Sequence, residues 1–286
     1  MAILVDYNQV ILASLFASIG NHTNIDVDEN LIRHMFLNSI RSNRKKFTKE
    51  YGEIVICADG KNSWRREAYP YYKANRRKSR DESELDWNVL FGIMNTIRDE
   101  LKEFFPYKVI HMDHCEADDI IGTICHDEGT DLNIGNEKYL VLSGDKDYIQ
   151  LQSYVNVDQY DPVRKRWIRN DNPTNYLNEH ILRGDKGDGV PNVLSPDNCL
   201  AVGTRQKAMT KPRLEKLLKG TSEMDEETLR CFHRNKMMID LSQIPANYVE
   251  QIRSEWQAPK DIGRQYLFDY FVKRKLKNLI TDIQDF

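Results

Sequence analysis

Tyr139-Leu140-Val141-Leu142-Ser143-Gly144-Asp145-Lys146-Asp147 opens with four apolar residues, breaks at a Ser-Gly pair and gives way to two acids one residue apart. An uninterrupted apolar run of this length suits a strand buried on both faces, because a strand with one wet face would alternate. The same arrangement recurs along the chain. Ala2-Ile3-Leu4-Val5 ends in Asp6, Ile54-Val55-Ile56-Cys57-Ala58 ends in Asp59, and Lys108-Val109-Ile110 is followed by Asp113 and Glu116. Helical stripes lie between them: Leu31, Ile32, Met35, Phe36 and Ile40 within 29–47, and Leu90, Ile93, Met94, Ile97, Leu101 and Phe104 within 86–105. Strand alternating with helix predicts an α/β fold with a parallel sheet.

Beyond about residue 175 the strand signals stop, and segments 179–182, 211–219, 226–239 and 266–279 read as helices. The expected organisation is an α/β core over 1–175 and a C-terminal helical region over 176–286. Residues 60–84 fit neither pattern, being too basic and too aromatic for an interior element, and read as an exposed, partly helical insertion.

Ligands of parallel sheets bind at the carboxyl ends of the strands, so the acids that follow each strand should converge on one edge. Glu116-Ala117-Asp118-Asp119 opens a helical pattern, where the positive end of the helix dipole tolerates acids. Asp185 and Asp188 sit in a glycine-rich turn, Gly184-Asp185-Lys186-Gly187-Asp188-Gly189. A single Asp after a strand is commonly a cap, and Asp113 is read as one. The collective pattern asks for more. Carboxylates packed together raise one another's pKa unless a cation neutralises them. An all-oxygen set without His or Cys suits Mg²⁺, with Mn²⁺ able to substitute. Two such ions about 3.5–4 Å apart can activate water and stabilise an in-line phosphodiester displacement.

The charge distribution names the substrate class. Net charge is only −3, yet residues 60–80 carry eight basic side chains against the single acid Glu67. Further basic stretches lie at 41–49 and 205–219. In Tyr71-Tyr72-Lys73-Ala74-Asn75-Arg76, rings for stacking on bases alternate with cations for phosphates. Lys73 and Arg76, three apart, share a face if helical and could both reach a scissile phosphate. Arg65, Arg66, Arg77 and Lys78 extend the basic arm.

Other classes fit less well. The longest nearly apolar run, residues 10–19, is too short to cross a bilayer. Five cysteines without a C-x-x-C pair suggest neither a disulfide framework nor a zinc site, and the chain reads as cytoplasmic, in the host's cytoplasm if viral. A haloacid-dehalogenase-type phosphatase needs an acid where Asn8 stands, and Gly60-Lys61 lacks the upstream glycine of a P-loop. A PIN-type ribonuclease shares the acidic edge but needs neither the arm nor the helical extension. A catalytically silent nucleic-acid binder would avoid carboxylates that repel phosphates.

Taken in order, strand-Asp6, strand-Asp59, Tyr69-Pro70-Tyr71-Tyr72-Lys73-Ala74-Asn75-Arg76, Glu116-Ala117-Asp118-Asp119, Ser143-Gly144-Asp145-Lys146-Asp147 and Gly184-Asp185-Lys186-Gly187-Asp188 resemble the flap endonuclease, or 5′-nuclease, superfamily. The likeness is to its branch containing the ribonuclease H (5′→3′ exonuclease) of T-even-type bacteriophages. It implies that Asp6, Asp59, Glu116, Asp118 and Asp145 surround a first Mg²⁺, and that Asp147, Asp185 and Asp188 hold a second, with Asp119 beside them. It implies Lys73 and Arg76 as phosphate-engaging residues of a helical arch, with Tyr72 stacking. The activity implied is 5′→3′ exonuclease on RNA–DNA hybrids and duplex DNA with flap cleavage, by a monomer that removes primers in lagging-strand replication alongside a single-strand-binding protein and a sliding clamp. The family's helix-hairpin-helix carries a Gly-x-Gly turn, whereas this chain has Gly189-Val190-Pro191, a departure that weakens the case for a K⁺ site and for standard duplex contacts there. The chain begins almost directly on the first strand, which weakens the case for a clamp-binding role of the N-terminus.

Overall fold

A computed structural model of the chain describes residues 1–19, 28–83, 85–130, 137–260 and 263–286. One sheet contains β1 (Ala2–Asp6), β2 (Ile54–Ala58), β3 (Lys108–His111), β4 (Tyr139–Leu142), β5 (Val157–Asp161) and β6 (Arg166–Ile168), in the order β3-β2-β1-β4-β5-β6. All neighbours pair in parallel except β5 and β6, so the expected parallel sheet acquires an antiparallel edge. The last two strands carry no apolar run. Gln159 in β5 is buried because its amide donates to the carbonyls of Ser143 and Asp145 at 3.1 and 2.5 Å, a hydrogen-bonding reason for burial that hydropathy does not register.

Between β1 and β2 run α1 (Tyr7–Ile19) and α2 (Glu29–Tyr51). Between β2 and β3 run α3 (Trp64–Ala68), α4 (Ala74–Asp81) and α5 (Trp87–Phe104), and between β3 and β4 runs α6 (Ala117–Thr130). Asp28 and Asp86 cap α2 and α5 by accepting backbone N–H groups with their side chains. After the sheet come α7 (Pro173–Arg183), α8 (Lys211–Leu217), α9 (Glu226–Ile239), α10 (Ala246–Gln257), α11 (Leu267–Lys273) and α12 (Lys277–Ile280).

β1, β2 and β4 are buried along their whole length on both faces, as their composition requires. Ile3, Val5, Ile54 and Ile56 face one core with α1, α2 and α5, whereas Ala2, Leu4, Val55 and Cys57 face another with α6 and Ile252 of α10. All five cysteines are buried and unpaired. Among the described residues no helix is long and apolar enough to cross a membrane. Leu31 departs from the expected stripe and is 48% exposed, at the outer margin of α2.

Residues 267–286 pack back onto the core of the sheet. Leu267, Tyr270, Phe271, Leu279 and Phe286 belong to the same core as β1 and β2, and Phe105 meets the rings of Tyr270, Phe271 and Phe286. Beneath them, Glu100 accepts from Arg33 Nε at 2.8 Å and from the Tyr270 hydroxyl at 2.6 Å, and pairs with Arg274. Leu182, Val193, Leu214, Leu217 and Cys231 pack in a cluster of their own, so the residues beyond 175 divide between that cluster and the core of the sheet.

One feature of the topology positions the site. From β1 the chain builds outward through β2 to β3, then returns to add β4 on the other side of β1. Connections part at such a switch point and leave a crevice at the strands' carboxyl ends. Asp6 ends β1 at that crevice, and Ser143–Asp147 follows β4 there.

Candidate active site

Asp6 is 6% exposed. Its Oδ2 accepts from the hydroxyls of Ser143 and Tyr148 at 3.0 and 3.1 Å, and its Oδ1 from Gln9 N at 3.1 Å. Burial, with Asp59 and Asp145 close by, pushes its carboxyl up to about 7. Asp59 accepts Ala117 N at 2.8 Å and so caps α6 as well as belonging to the cluster. The chain can turn there because Gly60 follows: a Cβ on it would lie 1.7 Å from the Met112 carbonyl.

Glu116 and Asp118 stand at the amino end of α6. Burial opposes ionisation of Glu116, yet Lys73 and Arg65 outweigh it and hold the carboxyl at about 2. Burial and then Glu116 drive Asp118 well above the usual carboxylate range. On the other side, burial followed by Asp145, Asp188 and Asp185 drives Asp147 up in the same way. Asp185 Oδ1 accepts Asp188 N at 3.0 Å within the Gly184–Gly189 turn. The fold thus brings together Asp6, Asp59, Glu116, Asp118, Asp145, Asp147, Asp185 and Asp188 along one edge, with fewer cations than carboxylates. Such an all-oxygen donor set, with Asp6, Asp59, Asp118, Asp145 and Asp147 pushed toward protonation, fits hard divalent cations.

The root of the arm closes over this edge. Lys73 takes a left-handed conformation (φ +55°) immediately before α4, so it is not helical as the three-residue spacing suggests. It reaches the site by another route. Its N–H donates to the Asp188 carbonyl at 2.7 Å, and its Nζ lies 2.6 Å from Glu116 Oε1 and 3.6 Å from Asp188 Oδ2. Arg76 donates from Nε to the Gly187 carbonyl at 3.0 Å and pairs with Asp188. Gly189 (φ +73°) permits the contact, since a Cβ there would lie 2.7 Å from the Tyr71 carbonyl. Beside the carboxylates, Lys61, Arg66, Arg80 and Arg98 line a cavity of about 280 Å³ that also touches Asp59 and Lys73.

Three expectations for individual residues need correcting. Tyr72 is 2% exposed, with its hydroxyl 2.7 Å from Glu116 Oε2 and 2.8 Å from Asp188 Oδ2, so its ring offers no face to a base; the exposed ring is that of Tyr71. Arg65 is 1% exposed, 2.7 Å from Asp119 Oδ1, and donates to the Met238 carbonyl at 3.0 Å; it is a buried counter-ion, out of reach of nucleic acid. Asp119 is wholly buried, with Oδ1 taken by Arg65 and Trp64 Nε1 and Oδ2 accepting Glu116 N at 2.8 Å, so Arg65 rather than a metal meets its charge. Arg66 is exposed. The side chains of Arg77 and Lys78 lie outside the described residues.

The structure adds a residue that no motif marked. His180 of α7 stands between the second group of acids, with Nε2 3.2 Å from Asp185 Oδ2 and Nδ1 3.5 Å from Asp147 Oδ1. A lone histidine in a helical segment gives no spacing signal; only its position five residues before Asp185 could have drawn attention.

The family model described as 5′-3′ exonuclease, N-terminal resolvase-like domain, matches residues 1–179, and that of T4 RNase H, C terminal, matches 175–286. The chain belongs to the 5′-3′ exonuclease family. As a 5′-3′ exonuclease family member it is a nuclease, hydrolysing phosphodiester bonds. It is 32% identical over 295 residues to the Ribonuclease H of Enterobacteria phage T4, an alignment covering 99% of this chain and 95% of that one. DNA polymerase I of Bacillus caldotenax is 28% identical over 255 residues, which span 83% of this chain and 27% of the polymerase. Two solved structures share the family fold at low identity. A T5 5′-exonuclease with divalent metal ions (zinc) bound has a TM-score of 0.61 at 16% identity, covering 97% of this chain and 98% of that one. A mutant T5 5′-exonuclease has a TM-score of 0.56 at 15% identity, covering 96% and 98%.

Proposed function

We propose that this nuclease is a divalent-metal-dependent 5′→3′ exonuclease of RNA–DNA hybrids and duplex DNA, with flap cleavage, that removes RNA primers during lagging-strand replication. The observation that carries the reading is the convergence of carboxylates from three strand ends, the start of α6 and the Gly184–Gly189 turn beneath Lys73 and Arg76. Asp6, Asp59, Glu116, Asp118 and Asp145 would hold one Mg²⁺, and Asp147, Asp185 and Asp188 a second. Held there, divalent cations would neutralise the cluster and supply activation of the attacking water.

The protein's own residues do the rest. Lys73 exchanges Glu116 for a non-bridging oxygen of the scissile phosphate, where it offsets the charge that develops during displacement. Arg76 supports the same phosphate. Tyr72 holds Glu116 and Asp188 at a fixed separation, and Arg65 fixes Glu116 from below through Asp119. The basic cavity lined by Lys61, Arg66 and Arg98 accepts the phosphates of the strand on the far side of the cut. A single-strand-binding protein and a sliding clamp are the partners this role implies.

The test is digestion of an RNA–DNA hybrid labelled at 5′, beside the same duplex labelled at 3′, with Mg²⁺ and with EDTA. Early release of short labelled fragments from the 5′-labelled strand alone, abolished by EDTA, is expected. Binding without cleavage of either would replace this reading with that of a silent nucleic-acid binder.

A further inference from the structure

Most side chains on the acidic edge offer oxygen, and His180 is the exception. It projects from the last turn of α7 toward two of the acids, with 14% of its side chain exposed. Donor atoms of Asp147, His180 and Asp185 all lie within 4.8 Å of one another. Neighbouring ligands on one octahedral ion, each about 2.1 Å from it, stand about 3 Å apart. His180 Nε2 and Asp185 Oδ2 are hydrogen-bonded at 3.2 Å, and a cation that displaced the shared proton would find the two atoms already at that separation. Nδ1 faces Asp147 at 3.5 Å, and a histidine that ligates through one nitrogen characteristically directs the N–H of the other to a carboxylate, which fixes its tautomer.

We propose that His180 Nε2 is a direct ligand, with Asp185, of the second cation, and that it shifts this position from Mg²⁺ toward Mn²⁺, Co²⁺ or Zn²⁺. The inference rests on the metal-site reading above and adds to it the identity of a ligand and the class of ion. Imidazole nitrogen binds first-row transition ions well and Mg²⁺ poorly, so one nitrogen donor among carboxylates changes the order of preference at that position alone. The first position, reached by Asp6, Asp59 and Glu116, keeps its all-oxygen set. The chain would then carry two unlike sites, one suited to Mg²⁺ and one to a transition ion.

Pulsed EPR of the full chain loaded with Mn²⁺ reads the ligand directly. The expected result is a ¹⁴N modulation that becomes a ¹⁵N pattern when only histidine is ¹⁵N-labelled, and that disappears in His180→Gln. In water-proton relaxation titrations, His180→Gln is expected to weaken the tighter class of Mn²⁺ sites about 10-fold or more while Mg²⁺ competition shifts by less than about 3-fold. The labelling arm uses the unmutated protein and stands even if the variant folds poorly. Bound Mn²⁺ without histidine modulation overturns the ligand assignment and leaves the metal-site reading intact. No Mn²⁺ binding at all removes both.

Discussion

Asp6→Asn should stabilise the metal-free protein at pH 8. The Asp6 carboxyl rises from an ordinary 3.8 to about 7 in the fold, through burial and then Asp59 and Asp145. At about 1.4 kcal/mol per pH unit, holding it ionised costs the folded state about 4 kcal/mol. The sign follows from proton counting. Between the two values the native state binds the proton that the unfolded chain has lost, so stability falls as pH rises from about 4 to about 7, and the full penalty is present above 7. Asparagine carries no charge, but its Nδ2 would face the hydroxyls of Ser143 and Tyr148, which must reorient at about 1 kcal/mol each. The net expectation is a gain of about 2 kcal/mol at pH 8 that falls to zero near pH 5 and becomes a loss of about 1–2 kcal/mol near pH 4, read by urea unfolding in EDTA. Mg²⁺ at a hundred times its Kd should reverse the ranking, adding about 2.7 kcal/mol to the parent and little to the variant. A variant no more stable than the parent at pH 8 in EDTA, or one whose advantage persists at pH 4, would refute the reasoning.

Asp118→Asn should abolish cleavage while substrate binding without metal, measured by mobility shift, stays within about threefold; loss of binding would contradict a purely metal-holding role. Lys73→Ala should slow single-turnover cleavage by about 10²–10³-fold with a much smaller loss of affinity, and an unchanged rate would remove Lys73 from the chemistry. Arg65→Met should cost about 3–5 kcal/mol in urea unfolding, because Asp119 is left buried and unpaired; a surface-like change below about 0.5 kcal/mol would return Arg65 to the exposed arm. Phe286→Ala should cost about 3–5 kcal/mol and lower a single unfolding transition for the whole chain. Two separated transitions would mean that the C-terminal region unfolds as a body of its own.

Much of the fold and of the acidic edge was legible in the sequence. Strands buried on both faces write themselves as continuous apolar runs, and acids placed just after such runs must lie at one sheet edge. β5 escaped because its interior positions are filled by hydrogen-bonded polar groups such as Gln159. Sequence also located the basic arm but could not sort its members. Arg65, Tyr72 and Arg76 lie in the same charged, aromatic stretch, yet one is buried under Asp119, one bridges two carboxylates and one reaches the Gly184–Gly189 turn.

Local pattern therefore determined the element types, the order of the strands along the chain and the residue types of the acidic edge, because each depends on neighbours within a few positions. Tertiary structure alone decided which side of β1 received β4, that Asp119 turns inward while Asp118 does not, that His180 stands between Asp147 and Asp185, and that Phe286 closes the core begun at Ile3. These depend on contacts between residues far apart in the chain, and burial decides whether a charge meets solvent, substrate or another charge.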